Sequence, residues 1–306
     1  MFKKGLASIT LLALFLTSSV FAEEHKTQIY HSYQDILVLY KQYNYTPEAW
    51  QAGVREAPRL YFTSIPESWS SKTSKEITVA NKKRLFFRGL APLVLRANEL
   101  IIEQRKRFLS LTKSDFKSLK ESDKQWLLEL ARSYKVLKTE DISLGAEQAA
   151  ELAIRVDVIP VSLALAQGAV ESGWGTSRFA TQGNSLFGQW TWGDHAMKPS
   201  EQRKHLGNYG LAAFESPLQS VVAYMQNLNT HAAYQALREI RSKLRAQGKE
   251  LTGTALANGL VKYSEKGQEY VELLHSMIRH NHLAAADSAS LTDMEPIYLV
   301  PAKHGQ

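Results

Sequence analysis

The sequence predicts a mainly α fold: a helical lobe, with a small irregular or β lobe placed just after one buried helix. Three observations carry this. Apolar residues recur at helical spacing through 81–111, 122–136 and 143–158. The segment 160–172, PVSLALAQGAVES, is apolar nearly all round, the composition of a helix enclosed on every side. From 175 to about 214, Gly, Trp, Phe and polar residues replace that pattern, as in loops and short strands.

The chain opens MFKKGLASITLLALFLTSSVFA. Lys3 and Lys4 precede an apolar run from Ile9 to Leu16, and Val20 and Ala22 stand at minus three and minus one of a cleavage site. This is the pattern of a secretory signal peptide over 1–22, and the run is short for a membrane span. The expectation is an exported protein, periplasmic, with no membrane span once the signal is removed and no nucleic acid as partner. None of the 306 residues is Cys, so no disulfide, Cys nucleophile or Cys metal site is available. The net charge is +7, and the chain stays basic without Lys3 and Lys4. That charge suits either an anionic polymer or simple solubility.

Residues 23–78 form an N-terminal segment with no repeat. HSYQDILVLYKQYNY has the pattern of a short helix, and EAPRLYFTSIPESWSSKTSKE reads as extended chain or loop. Residues 79–140 form a helical region expected to pack on a catalytic domain. Its first helix carries Leu90, Val94, Ala97, Ile101 and Phe108 on one face, with Pro92 expected to kink or split it near Ala91. In the second, Ser122 is a candidate cap and Trp126, Leu127, Leu130 and Tyr134 form the apolar face. The catalytic domain is expected over 141–283. Pro160 suits the first turn of its buried helix, and helices return over 216–231, 232–248, 252–263 and 267–283. Residues 284–306 have two prolines and little periodicity, and are expected to be a mobile tail.

Chemistry concentrates where the buried helix ends. Glu171 closes the apolar run, and glycines and aromatics follow at once. A carboxyl partly withdrawn from water has a raised pKa and can serve as a general acid, protonating the leaving oxygen of a glycosidic bond. The following Gly-rich turn lets backbone and substrate approach closely, and Trp174, Phe187, Trp190 and Trp192 can stack on sugar faces. Trp190 and Trp192 alternate, so in an extended segment both rings share one face, to bind sugars or to cover a small core. The other reading of the same residues is a solvated glutamate on a last helical turn, beside aromatics that only pack.

The stretch AQGAVESGWGTSRFATQGNSLFGQW closely resembles the catalytic segment of the glucosaminidases of glycoside hydrolase family 73, which include the flagellar peptidoglycan hydrolase domain. The family pattern E-S-G-x-G-x-S falls on Glu171 to Ser177, and G-N-x-L-F-G on Gly183 to Gly188. The basic helix at 81–111 and YMQNLNTHAAYQALR further resemble the exported Bax-like bacterial proteins that carry this domain, so the likeness spans roughly 79–283. The resemblance implies a lysozyme-like fold and an endo-β-N-acetylglucosaminidase. Its substrate would be peptidoglycan glycan strands, cut after N-acetylglucosamine with Glu171 as acid and no cofactor. Asn184 and Gln189 join Trp174, Phe187, Trp190 and Trp192 as implied substrate-binding residues. A family tyrosine in a Y-A-x-x-x-x-Y-like motif falls on Tyr263, with Tyr270 as the second. Here the spacing is one residue longer and Ser264 replaces the Ala. Tyr263 is therefore read as the functional tyrosine, facing Glu171, and Tyr270 as packing.

A glycosidase of this kind uses a second carboxylate about 6.5–9.5 Å away if inverting, or about 5 Å if retaining. The lobe after Phe187 offers Asp194, Glu201 and Glu215, and Glu201 is the best candidate for a base. Assistance by the substrate's acetamido group, or Glu171 acting nearly alone, stay open. His195, His205, His275, His280 and His282 lack nearby acids at ligand spacing, so no metal is expected. The competing readings are a muramidase or lytic transglycosylase of lysozyme-like fold, and a wall-binding protein that does not cut.

Overall fold

The computed structural model describes residues 26–192, 196–198 and 209–302. Strand β1 (Lys26–Tyr30) leads into helix α1 (Tyr33–Gln42), begun by a capping box in which Ser32 Oγ accepts from the Asp35 amide and Asp35 accepts from that of Ser32. Thr46 caps the short α2 (Pro47–Gln51), and strands β2 (Glu56–Ala57) and β3 (Leu60–Phe62) follow. A π turn, Trp69–Thr73, runs into α3 (Ser74–Glu76).

Helix α4 (Val79–Leu111) passes through Pro92 as one element instead of splitting there. A proline inside a helix costs about 3 kcal/mol. Leu90, Leu93, Val94 and Ala97 on both sides of it are buried, and that packing outweighs the lost bond. Helix α5 (Glu121–Ser133) starts ahead of the expected cap, on Lys120 rather than Ser122. Helices α6 (Ala146–Arg155) and α7 (Val161–Ser172) follow, with Pro160 as the residue that caps α7.

After α7 the chain forms α8 (Arg178–Gly183), a six-residue helix absent from the sequence reading, capped by Ser177. Strands β4 (Trp190–Trp192) and β5 (Tyr209–Leu211) pair antiparallel as the small β lobe. Four helices complete the helical lobe: α9 (Pro217–Thr230), α10 (Gln235–Ala246), α11 (Gly253–Ala257) and α12 (Gln268–His280). The fold is the mainly helical one expected, and α7 is its axis. Leu163, Ala164, Ala166 and Gln167 on α7 are fully enclosed by α4, α11, α12 and the turn at Leu283–Ser288. Gly168 lets α4 pack close, since a Cβ there would stand 2.7 Å from Leu90 Cδ2.

The tail expected to be mobile over 284–306 is instead structural through residue 301. Strand β6 (Ser290–Leu291) pairs with β2, and β7 (Ile297–Pro301) is the centre of a parallel sheet ordered β1-β7-β3. Ile29 lies opposite Val300 and Phe62 opposite Leu299. Ile297 and Leu299 are buried, and that burial together with pairing on both sides orders the strand. Strands β1, β2 and β3 of the N-terminal segment are therefore bound to the last described residues.

A buried charge cluster fixes the connector into α7. Asp157, 3% exposed, accepts from Arg245 Nη2 at 2.8 Å, and Arg241 donates to the Asp157 and Val158 carbonyls and to Asn229 Oδ1. Burial pushes the Asp157 carboxyl up, but the Arg245 hydrogen bonds and the Arg241 charge outweigh it and hold it below the ordinary aspartate range. Asp157→Ala leaves Arg241 buried without its counter-charge and should cost about 3–5 kcal/mol in urea unfolding at pH 7. Because the folded-state pKa is depressed, this stability is present above the unfolded value of about 3.9 and is lost as pH falls through the folded value. The gap between wild type and Asp157→Asn should narrow accordingly in unfolding curves taken toward pH 3.

Candidate active site

The last turn of α7 holds Glu171, and the helix stops because Gly173 turns left-handed, at φ 57°. Trp174 and Gly175 continue in the same region, at 64° and 74°. A left-handed residue with a side chain costs about 1–2 kcal/mol, so the turn needs external support. Ser172 Oγ accepts from the Gly175 amide at 2.8 Å. The Trp174 carbonyl accepts from Trp69 Nε1 at 3.0 Å, and its ring packs edge-on against Phe86 and Phe87 with Lys83 above it.

Glu171 itself is half-buried. Burial raises its carboxyl above the ordinary glutamate value, and a hydrogen bond from Tyr270 opposes that rise without cancelling it. The Tyr270 hydroxyl donates to Glu171 Oε1 at 2.6 Å. The other oxygen, Oε2, faces the backbone of Gly188, where an added Cβ would stand 3.7 Å away. One oxygen held by a phenol and the other toward a glycine backbone give the carboxyl a fixed orientation at the helix end.

The two tyrosines stand in the reverse order toward Glu171 from the one read from the sequence. Tyr270, read as packing, carries the hydroxyl on Glu171. Tyr263, read as facing the acid, stands one layer back: its ring stacks on Tyr270, with centroids 5.3 Å apart and planes 4° apart, and its hydroxyl donates to the Phe187 carbonyl at 3.1 Å. The reason lies in the connector. Gly267, at φ 57°, starts α12 only three residues before Tyr270, so the first turn of the helix aims Tyr270 at α7.

Other expected substrate contacts divide. Phe187 is 2% exposed and stacks on Tyr224 at 3.9 Å, so it is core and has no free face for a sugar. Asn184, at φ 52°, is a clasp: its Oδ1 accepts from the Ile65 amide and its Nδ2 donates to the Phe214 carbonyl. Gln189 has a buried Oε1 with no hydrogen-bond partner among the described residues. Trp190 is 58% exposed on β4, and Trp174 is partly buried. Trp192 pairs with Tyr209 through its backbone, and its side chain lies outside the described residues. Glu201, Asp194, His195 and His205 also lie outside them. Glu215 accepts from Gln219 at the start of α9. Among the described residues, no group of three or more His, Asp or Glu side chains is placed to hold a metal ion.

Sequence reasoning missed three contributors. Gln167 and Tyr224 lie behind Tyr270, and Trp69 supports the turn after Glu171. Only Gln167 left a trace, as the one carboxamide in an otherwise apolar helix.

Comparison with known proteins gives the family. Residues 146–283 match the glucosaminidase family described as mannosyl-glycoprotein endo-beta-N-acetylglucosaminidase. Protein bax of Escherichia coli (strain K12) is 33% identical over 210 residues, which cover 65% of this chain and 70% of that protein. No solved structure matches. The chain thus belongs to the glucosaminidase family of glycoside hydrolases acting on peptidoglycan, and within it to the Bax-like proteins.

Proposed function

We propose that the protein is an exported endo-β-N-acetylglucosaminidase that cuts peptidoglycan strands after N-acetylglucosamine, with Glu171 as the general acid. The observation that carries this is a half-buried carboxyl at the end of a rigid helix, raised in pKa by burial and held at one oxygen by Tyr270. Protonated Glu171 gives its proton to the glycosidic oxygen as the bond from that oxygen to C1 breaks, and the bond electrons go to the oxygen. Water then adds at C1 and releases a proton. Glu201 on the lobe is proposed as the base that takes it, with the substrate's acetamido group as the alternative. Trp190, exposed on β4, is proposed to grip the sugar, together with Trp174 and Gln189. The leader-like sequence at 1–22, outside the described residues, supports a periplasmic location.

One observation favours a second reading. Among the described residues no other carboxylate bears on Glu171, and lytic transglycosylases can run on a single glutamate. The products separate these readings. Mass spectrometry of sacculus digests should show fragments with reducing-end N-acetylglucosamine, and Glu171→Gln should abolish their release while keeping the fold. Ends of 1,6-anhydromuramic acid would turn the assignment to a transglycosylase. Binding to sacculi without release of fragments would leave a wall-binding protein.

The tyrosines and the pH profile give two further tests. The general acid must be protonated, so kcat/KM should fall on the alkaline side with an apparent pKa above the ordinary glutamate value of about 4.3. Tyr270→Phe removes the group that favours the ionised form and should move that limb upward. It should also cost roughly 10²-fold or more in turnover, as expected for one positioned donor. Tyr263→Phe, one layer back, should cost less, and equal losses in steady-state assays would contradict the assignment.

A further inference from the structure

Behind Glu171 runs a chain of hydrogen bonds that leads away from the cleft. Gln167 lies one turn before Glu171 on α7 and is fully buried. A carboxamide is costly at the centre of an apolar helix unless both its ends are bonded. Both are. Its Oε1 accepts from the Tyr224 hydroxyl at 2.6 Å, and its Nε2 donates to the Tyr270 oxygen at 3.0 Å. Tyr270 passes the sequence on by donating to Glu171 Oε1.

The direction of the chain is set at its far end. Tyr224 is 1% exposed, with its ring stacked on Phe187, and among the described residues its hydroxyl bonds only to Gln167. A buried O–H must find an acceptor, so Gln167 presents its oxygen to Tyr224. A carboxamide has its oxygen and its NH2 on opposite arms, so the NH2 faces Tyr270. The Tyr270 oxygen is then occupied as an acceptor, and its own hydrogen points at Glu171. Running the chain backwards would leave the Tyr224 hydrogen with no acceptor.

We propose that Gln167 and Tyr224 are positioning residues that commit Glu171 Oε1 to accepting from Tyr270, so that the transferable proton resides on Oε2, the oxygen facing Gly188. This rests on the reading of Glu171 as general acid. A free carboxyl has two equivalent oxygens, and a proton on the inner one is aimed at protein rather than at substrate. The titratable groups around Glu171 are Tyr270 on α12, Tyr263 in the preceding connector, Tyr224 on α9 and Tyr234 in the turn after α9. All are neutral phenols, and among the described residues no charged side chain bears on Glu171. Burial and the Tyr270 hydrogen bond are thus the two opposed influences, and loosening the chain moves the carboxyl one way. Without Tyr224 the amide of Gln167 can turn over, Tyr270 then donates to Gln167, and its oxygen becomes an acceptor for the Glu171 proton. The neutral form gains a partner, and the proton settles on Oε1.

The test uses Tyr224→Phe and Gln167→Met in the full chain. The Glu171 carboxyl is titrated by carbon-13 NMR, assigned by difference from Glu171→Gln, beside kcat and KM on soluble glycan fragments. Both variants should raise the Glu171 pKa by about half a unit or more, lower kcat roughly tenfold and leave KM within about twofold. An unchanged titration, or a KM rise at constant kcat, in a folded variant overturns the proposal. Tyr224→Phe keeps the ring stack and decides alone if Gln167→Met does not fold. Activity retained by Glu171→Gln would sink the acid reading, while the titration still reports on the chain.

Discussion

The burial of α7 up to its last turn is the constraint on which the rest of the structure depends. A helix carrying Leu163, Ala164, Leu165, Ala166 and Ala169 has no face fit for water, so other elements must close around it. That enclosure makes its last turn a place where a carboxylate is held still and stripped of solvent at once. The backbone acts in the same sense, because the C-terminal end of a helix is its negative pole and disfavours an ionised carboxyl there. The opposite end holds a second half-buried carboxyl. Asp287 accepts from the Ser162 amide and hydroxyl and from the Gly253 amide, so one carboxyl from the turn after α12 clamps the starts of both α7 and α11. Burial raises the Asp287 carboxyl as it raises that of Glu171, and the hydrogen bonds from Gly253 and Ser162 oppose that rise without cancelling it.

How much of this was legible in the sequence depended on how local the signal was. The period of α4 and α5, the all-round apolarity of α7 and the Glu171 motif each sit within a few turns of chain, and all were readable. Tyr263 and Tyr270 were told apart by motif, but their order toward Glu171 depends on where Gly267 starts α12, which no local pattern gives. Phe187 and Asn184 have structural partners that the local sequence does not show. An aromatic ring suits a sugar face or a core equally well, and an amide suits a substrate or two backbone groups equally well. What distinguishes them is Tyr224 and Ile65, contributed from elsewhere in the chain. Strand β7 was hidden most thoroughly, since five residues carry little pattern and its partners lie more than two hundred residues away.

The site is not confined to the stretch that matches the family. Trp69 and Ile65, far ahead of residue 146, hold the Trp174 carbonyl and Asn184, and Phe86 and Phe87 pack on the Trp174 ring. Three successive left-handed residues after the acid are held from outside the matched segment. The region before it is therefore part of the architecture of the site rather than an appendage.

The parallel sheet β1-β7-β3 has a consequence for how the molecule forms. Its middle strand is made last, while both flanking strands come from the opening of the described chain. On a ribosome, or in any process that releases the chain from its front end, β1 and β3 must wait unpaired until residue 301 is free. Joining segments so distant in sequence closes a very long loop, and non-local pairings of this kind are made slowly. During that interval the open edges of β1 and β3 are templates for the wrong partner. Completion of the sheet is therefore the expected slow event in maturation, and the waiting chain is the form most in need of protection from its neighbours.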